Sequence, residues 1–242
     1  MEKVFSGKKA LIVGGTGGIG RAIALALAER GAELWIHGGS SEERLQNTLR
    51  IVKENGGIAE GFLYYIDNPG AANEILSRAP APDILICAWG PFKRGKLEAL
   101  DSEFWHNMVM GNLIFPGALV SLALPEMLKK KWGRILLFGG TNTDIIRGFT
   151  TTAAYSSAKT GLGVIAKSAA KIGVNQGLSC NIVCPGLTDT EYLDQDGLKY
   201  NREHSPGGKA LEPGEIARLC MVILENPGIN GAIIPIDKGI EI

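Results

Sequence analysis

Apolar residues arrive along this chain in two alternating rhythms. Short aliphatic runs at Ala10–Val13, Glu33–Ile36, Gly61–Ile66, Ile84–Cys87, Arg134–Phe138, Ser179–Val183 and Ala232–Ile236 predict seven strands. The longer stretches Gly18–Arg30, Glu42–Asn55, Ala71–Arg78, Ser102–Lys131, Ala154–Gln176 and Pro213–Glu225 predict helices. Strand and helix in regular alternation imply parallel neighbours, because a parallel pair needs a crossover connection and a helix is the usual one. The fold expected is therefore α/β, a doubly wound parallel sheet of about seven strands flanked by helices, with residues 1–242 as a single domain. The least regular stretch, Asp189 to Glu212, directly follows the sixth strand. Loops leaving strand carboxyl ends surround the ligand crevice of such a sheet, so this one is the expected substrate loop.

Charge narrows the partners. The 25 basic and 25 acidic residues cancel, which gives no electrostatic footprint for nucleic acid or an anionic membrane surface and favours a small-molecule partner. Cys87, Cys180, Cys184 and Cys220 show no paired CxxC spacing and only three histidines accompany them, which argues against a zinc site or disulfide framework and for a reducing cytoplasm. The amino-terminal residues Met1 to Val4 leave no room for a signal peptide before the first strand. The longest apolar run, Leu113 to Leu124, contains Pro116, Gly117 and Ser121 and falls short of the ~20 residues of a membrane span.

Two local patterns carry chemistry. The first strand ends in Val13-Gly14-Gly15-Thr16-Gly17-Gly18-Ile19-Gly20 and runs straight into an alanine-rich helix. Glycines there allow a sharp turn and bring backbone N–H groups of the helix amino terminus against a pyrophosphate. The second pattern, Tyr155-Ser156-Ser157-Ala158-Lys159, puts a phenol and an ammonium four residues apart on one helical face. A tyrosine near its ordinary pKa of ~10 is a poor acid–base catalyst at neutral pH, and a neighbouring cation is expected to lower that value.

Taken together, the glycine turn at Gly14, Gly18 and Gly20, the Tyr155/Lys159 pair, Asn112 between them, and Pro185-Gly186 after the sixth strand resemble the short-chain dehydrogenase/reductase family, with the general look of its beta-ketoacyl-acyl-carrier-protein reductases. The resemblance runs from Lys8 to Asn230-Gly231 and Asp237-Lys238-Gly239. It implies an NADP(H)-dependent oxidoreductase acting on a small carbonyl or alcohol, and a homotetramer or at least a dimer. Tyr155 would be the general acid or base, Lys159 would hold the nicotinamide ribose and lower the pKa of Tyr155, and Asn112 would hold a water linking Lys159 to solvent. Thr16, Ile19, Ala88 and Gly90 would line the cofactor with the glycine turn. Pro185, Gly186, Thr188 and Thr190 would position the nicotinamide end, and Asp67 the adenine. NADP(H) is expected over NAD(H), because Gly38 stands where NAD-selective folds keep an acid at the end of the second strand. Ser40 and Ser41 follow, with Arg21 and Arg44 as auxiliaries for a 2′-phosphate.

Three departures bear on function. Val13 replaces the threonine that opens the glycine motif, and Cys87-Ala88-Trp89-Gly90 replaces NNAG, leaving Trp89 as either core packing or a wall of the cofactor cleft. Buried, inert thiols are the expectation for Cys87 and Cys184, and a surface position for His204. The serine of the family falls on Gly140 when counted from the fifth strand and on Asn142 when counted back from Tyr155. A two-residue insertion reconciles the counts, and the replacement donor expected is Thr141, then Asn142. The competing reading is an NADP(H)-binding protein that has lost catalysis and serves as a regulator or scaffold; a sugar-nucleotide epimerase fits less well, for want of a separate carboxyl-terminal substrate domain.

Overall fold

A computed structural model describes residues 3–240. Its seven strands are β1 (Lys9–Val13), β2 (Glu33–Gly38), β3 (Ile58–Leu63), β4 (Ile84–Cys87), β5 (Gly133–Phe138), β6 (Leu178–Pro185) and β7 (Ile233–Ile236). They form one parallel sheet in the order β3-β2-β1-β4-β5-β6-β7. The expected doubly wound α/β fold is thus present. Every residue of β4, β5 and β6 is buried, which explains why those strands read as near-continuous apolar runs. In β1 the alternation sorts Ala10 and Ile12 to one face and Leu11 and Val13 to the other. The first face is covered by α1 (Gly18–Glu29), α2 (Glu42–Glu54) and α8 (Pro213–Glu225), the second by α3 (Ala71–Ser77), α5 (Phe115–Lys130) and α6 (Ala153–Gly173).

Several boundaries differ from the pattern along the chain, most of them by one or two residues. β3 starts three residues before Gly61 and ends at Leu63, since Gly56, at φ +77°, turns the chain straight from α2 into the strand. Tyr64 makes one last bond to Gly38 O, and the remaining apolar residues to Ile66 lie beyond the end of β2. The helix expected over Ser102–Lys131 is α4 (Ser102–Val109) and α5, joined by a wide π turn at Met110–Ile114. Pro116 lacks the N–H that an α-helical turn would aim at Asn112, which accounts for the widening. This 102–130 stretch is long and apolar enough to cross a membrane by length and composition, yet half of its most apolar window is buried within the molecule. α6 stops at Gly173 instead of Gln176, where Gly173 lies against Leu178 and the chain reverses through left-handed Asn175 and Gly177.

The stretch from Asp189 to Glu212 is the clearest correction. It contains α7 (Gln195–His204), capped by Asp194, whose side chain accepts from Gly197 N at 2.8 Å. With mostly polar residues around its whole circumference, α7 has little apolar stripe for the eye to find.

Arg134 ties the amino-terminal end of the sheet. Its buried guanidinium donates to Leu224 O at 3.0 Å and to Gly133 O and Gly177 O at 2.8 Å, joining α8 to the turn before β6. Arg134→Met should lower unfolding free energy by roughly 2–4 kcal/mol, because three carbonyls lose a charged donor. Urea unfolding with an unchanged slope checks this, and an unchanged midpoint would show the network to be dispensable.

Candidate active site

The site begins where β1 ends. Gly14 and Gly18 turn through positive φ, +81° and +49°, and a Cβ on Gly20 would collide with Gly14 O. A Cβ on Gly14 would stand 3.0 Å from Trp89 N, so the turn is pressed against the end of β4. Two residues that the sequence patterns did not single out hold it there. Gly14 N donates to His37 O at 3.2 Å and to His37 Nδ1 at 3.3 Å, while His37 Nε2 donates to Tyr64 O at 2.9 Å. Burial pulls the His37 pKa down to about 4, which keeps the ring neutral and Nδ1 free to accept. On the other side Thr48 Oγ1 donates to Thr16 O at 3.3 Å.

An anion already sits at this turn. Glu191 accepts from Gly18 N at 3.0 Å and pairs with Arg21 at 2.8 Å, so its carboxylate occupies the helix amino terminus where a phosphate would bind. The residues therefore fit a dinucleotide's pyrophosphate, with Glu191 as its stand-in. The adjoining cleft, about 400 Å³, is bordered by Gly18, Ile19, Ser40, Ser41 and Arg44. Ser41 caps α2 by accepting from Arg44 N at 3.3 Å, and the Arg44 guanidinium lies 5.1 Å from the Tyr192 ring.

A larger cavity of about 800 Å³ opens beside it, at the carboxyl ends of β4, β5 and β6. Tyr155 and Lys159 reach it from one face of α6. Lys159 is buried, and its Nζ donates to Phe138 O at 2.8 Å while standing 5.8 Å from the centre of the Tyr155 ring. Burial pulls its pKa down to about 8. The same burial pushes the Tyr155 phenol up. This reverses the expected lowering: Lys159 is engaged by the β5 carbonyl, and desolvation outweighs its attraction for a phenolate. Asn112 sits in the π turn and donates to Pro91 O at 2.8 Å and Met108 O at 3.0 Å. Its Oδ1 is buried, has no hydrogen-bond partner among the described residues, and faces the same point as Lys159 Nζ, since a Cβ on Gly90 would meet both.

Gly140 stands close to the phenol: a Cβ there would lie 2.8 Å from Tyr155 Oη. The count from the fifth strand is therefore the one that matches the geometry, and the extra residues follow it. Thr141 and Asn142 both line the cavity. Thr141 Oγ1 donates to Pro185 O at 3.3 Å, and Asn142 adopts φ +60°. Thr143, not singled out by the sequence, braces this loop: its hydroxyl accepts from Gly140 N at 2.8 Å and donates to Gly140 O at 3.0 Å.

Other expected residues fall into place around these. Ala88 and Gly90 border both cavities, and Pro185, Gly186, Thr188 and Thr190 form the facing edge. Trp89 does both things considered for it, packing edge-on against Phe115 at 5.5 Å and lining both cavities. Asp67 borders neither cavity; it accepts from Asn68 at 2.6 Å on an exposed turn. Cys87 and Cys184 are buried free thiols whose pKa values burial raises to about 11. His204 is exposed, as expected, and also lines the cavity mouth from α7.

Comparison with known proteins agrees with this geometry. Residues 8–201 match the family model of the short chain dehydrogenases. The chain is 32% identical to the 3-oxoacyl-(acyl-carrier-protein) reductase FabG of Escherichia coli, over 97% of this chain and 98% of that protein. Among solved structures, a 3-oxoacyl (acyl-carrier-protein) reductase from Agrobacterium tumefaciens with NADP bound is 26% identical, with a TM-score of 0.88 over 98% of this chain and 95% of that one. A short-chain dehydrogenase/reductase from Serratia marcescens is 26% identical, with a TM-score of 0.84 over 98% and 99%.

Burying Lys159 carries a stability penalty that can be measured. Its pKa is depressed on folding, from 10.5 to about 8, so below pH 8 folding disfavours a charge that the unfolded chain solvates. As pH rises from 8 through 10.5 that penalty disappears. Lys159→Met should therefore stabilise the protein at pH 7 by on the order of 1–3 kcal/mol, after loss of the bond to Phe138 O, with the gain shrinking above pH 8. Denaturant titrations of both proteins across this range test the sign.

Proposed function

Given that the chain belongs to the short chain dehydrogenase family of oxidoreductases, we propose that its 242 residues form one dinucleotide-binding domain that transfers hydride between NADP(H) and a small carbonyl or alcohol, with Tyr155 as the acid or base. The observation that carries this reading is the convergence of Tyr155 and Lys159 on one cavity, with Asn112 Oδ1 facing the same point as the lysine, beside a glycine turn already holding a carboxylate. The nicotinamide, when bound, supplies the hydride.

In this reading Gly18 N–H and Arg21 exchange the Glu191 carboxylate for the pyrophosphate, and Ser40, Ser41 and Arg44 receive the 2′-phosphate. Ala88 and Gly90 border the nicotinamide half on one side, with Pro185, Gly186, Thr188 and Thr190 on the other. Lys159 turns from Phe138 O to the ribose, where its charge favours ionisation of the phenol. Tyr155 donates its proton to the carbonyl oxygen during reduction and accepts one during oxidation. Asn112 Oδ1 holds a water between Lys159 and solvent. With glycine at position 140, the Thr141 hydroxyl is the first donor to the substrate oxygen, and the Asn142 amide the second. A catalytically silent regulator or scaffold is not favoured, because such a protein has no need of a buried lysine beside a phenol.

We also propose a reducing cytoplasmic setting, supported by four buried free thiols, and a homotetramer or dimer. Supporting the latter, α5 and α6 carry exposed Leu122, Val164 and Ile172 beside small residues that permit close helix approach.

Tyr155→Phe should leave NADPH affinity within about twofold and lower kcat by roughly 10²–10⁴, since the ring keeps its edge-on contact with Phe92, 4.9 Å away, but has no proton to give. Turnover equal to the wild type would refute the assigned acid. For the cofactor, NADPH should bind more tightly than NADH, and Arg44→Ala should weaken NADPH by about tenfold or more while sparing NADH. Fluorescence titration of both nucleotides decides this, and tighter NADH binding by the wild type would overturn the preference.

A further inference from the structure

Among the described residues that line the larger cavity, the charged side chains are Lys159 and Arg94, with no aspartate or glutamate, although the whole chain has as many acids as bases. Lys159 is accounted for by the ribose and the phenol. Arg94 lies at the other end, on the segment after β4, and forms no ion pair with an acidic side chain among the described residues.

Although exposed, this arginine is held. Gly95 N donates to Thr151 O at 2.8 Å and Leu97 N to Thr150 O at 3.0 Å, which pins the segment to the chain leading into α6. The guanidinium carbon lies 4.5 Å from the centre of the Tyr200 ring, and Tyr200 stacks on His204 with ring centres 3.9 Å apart. Stacking against a ring orients a guanidinium while leaving its in-plane N–H donors free. Phe92 links the two ends of the cavity: its ring centre is 4.9 Å from that of Tyr155 and 5.9 Å from the Arg94 guanidinium carbon. One small molecule can therefore meet Tyr155 and Arg94 together, with its body along Phe92.

We propose that the substrate is an oxo acid or the matching hydroxy acid, and that Arg94 determines this specificity by pairing with the carboxylate. The inference rests on the hydride-transfer reading above. In the reducing direction the carbonyl carbon takes a hydride from NADPH and the oxygen takes the Tyr155 proton, giving the alcohol and NADP⁺, while the carboxylate is unchanged. A planar carboxylate suits the fork of an arginine, and Phe92 and Tyr200 suit an apolar or aromatic chain between the two ends.

The test compares levulinate and benzoylpropionate with their methyl esters, following NADPH oxidation. The wild type should prefer the acids by about ten- to a hundredfold in kcat/KM, the range for one charge-assisted contact. Arg94→Ala should raise KM for the acids by a similar factor, leave kcat and the ester kinetics nearly unchanged, and be partly rescued by Arg94→Lys. Calorimetry with valerate, which has the carboxylate but no carbonyl, should show binding to the NADP⁺-loaded wild type and at least tenfold weaker binding to Arg94→Ala. Esters reduced as well as acids, or acids insensitive to Arg94→Ala, would overturn the assignment while leaving the oxidoreductase reading intact. Failure of both acids and esters to react, with no valerate binding, would overturn the Arg94 assignment, and failure of NADPH itself to bind would overturn the reading beneath it.

Discussion

Parallel pairing of β1 with both β2 and β4 is the constraint from which the site follows. At that point the chain order reverses, so the connections leaving β1 and β4 separate to opposite faces and open a crevice between them. The same geometry aims the first turn of α1, with its unpaired N–H groups, into the crevice. Gly14 and Gly20 let the turn close, and neutral His37 fastens it to the end of β3 through Tyr64 O. The chain itself supplies an anion to this helix terminus in Glu191. In the proposed function, a pyrophosphate would compete with Glu191, from the segment after β6, for Gly18 N–H and Arg21.

The reactive end rests on a second constraint, the cost of placing a lysine in the core. Among the described residues Lys159 Nζ hydrogen-bonds to the Phe138 carbonyl, and burial pulls its pKa down to about 8 despite that partner. Such a group is held ready to exchange its partner for a better one, such as a ribose hydroxyl. Asn112 Oδ1 is in the same condition, buried and unmatched beside it. Both groups exist because the π turn at Met110–Ile114 and the interior of α6 put polar atoms where packing alone would put aliphatic ones. Stability given up here is recovered elsewhere, in the fully buried strands β4 to β6 and in the Arg134 network.

Much of this was legible in the chain. The spacing of aliphatic runs revealed the parallel sheet, since buried central strands announce themselves by unbroken apolarity. Glycines before a helix and a Tyr/Lys pair one turn apart are local signals, and they border two adjoining cavities. What escaped depended on tertiary contact. His37 and Thr143 act through buried hydrogen bonds that no spacing reveals, and α7 lacks the apolar stripe by which helices are recognised. Glu191 meets Gly18 across 173 positions of sequence. The Tyr155 shift has a related cause: the spacing brings a cation to the right face of the helix but says nothing of how deeply the phenol is buried, and burial pushes its pKa up.

The central claim is that the glycine turn and the Tyr155 cavity are two halves of one dinucleotide site. A crystal structure of the protein grown with NADP⁺ tests it most directly. The account predicts a pyrophosphate on Gly18 N–H and Arg21 with Glu191 moved aside, the 2′-phosphate beside Arg44, and the nicotinamide ring reaching Tyr155 and Lys159. A nucleotide bound elsewhere, or one lying at the turn with Glu191 still on Gly18 and its nicotinamide outside the Tyr155 cavity, would contradict it.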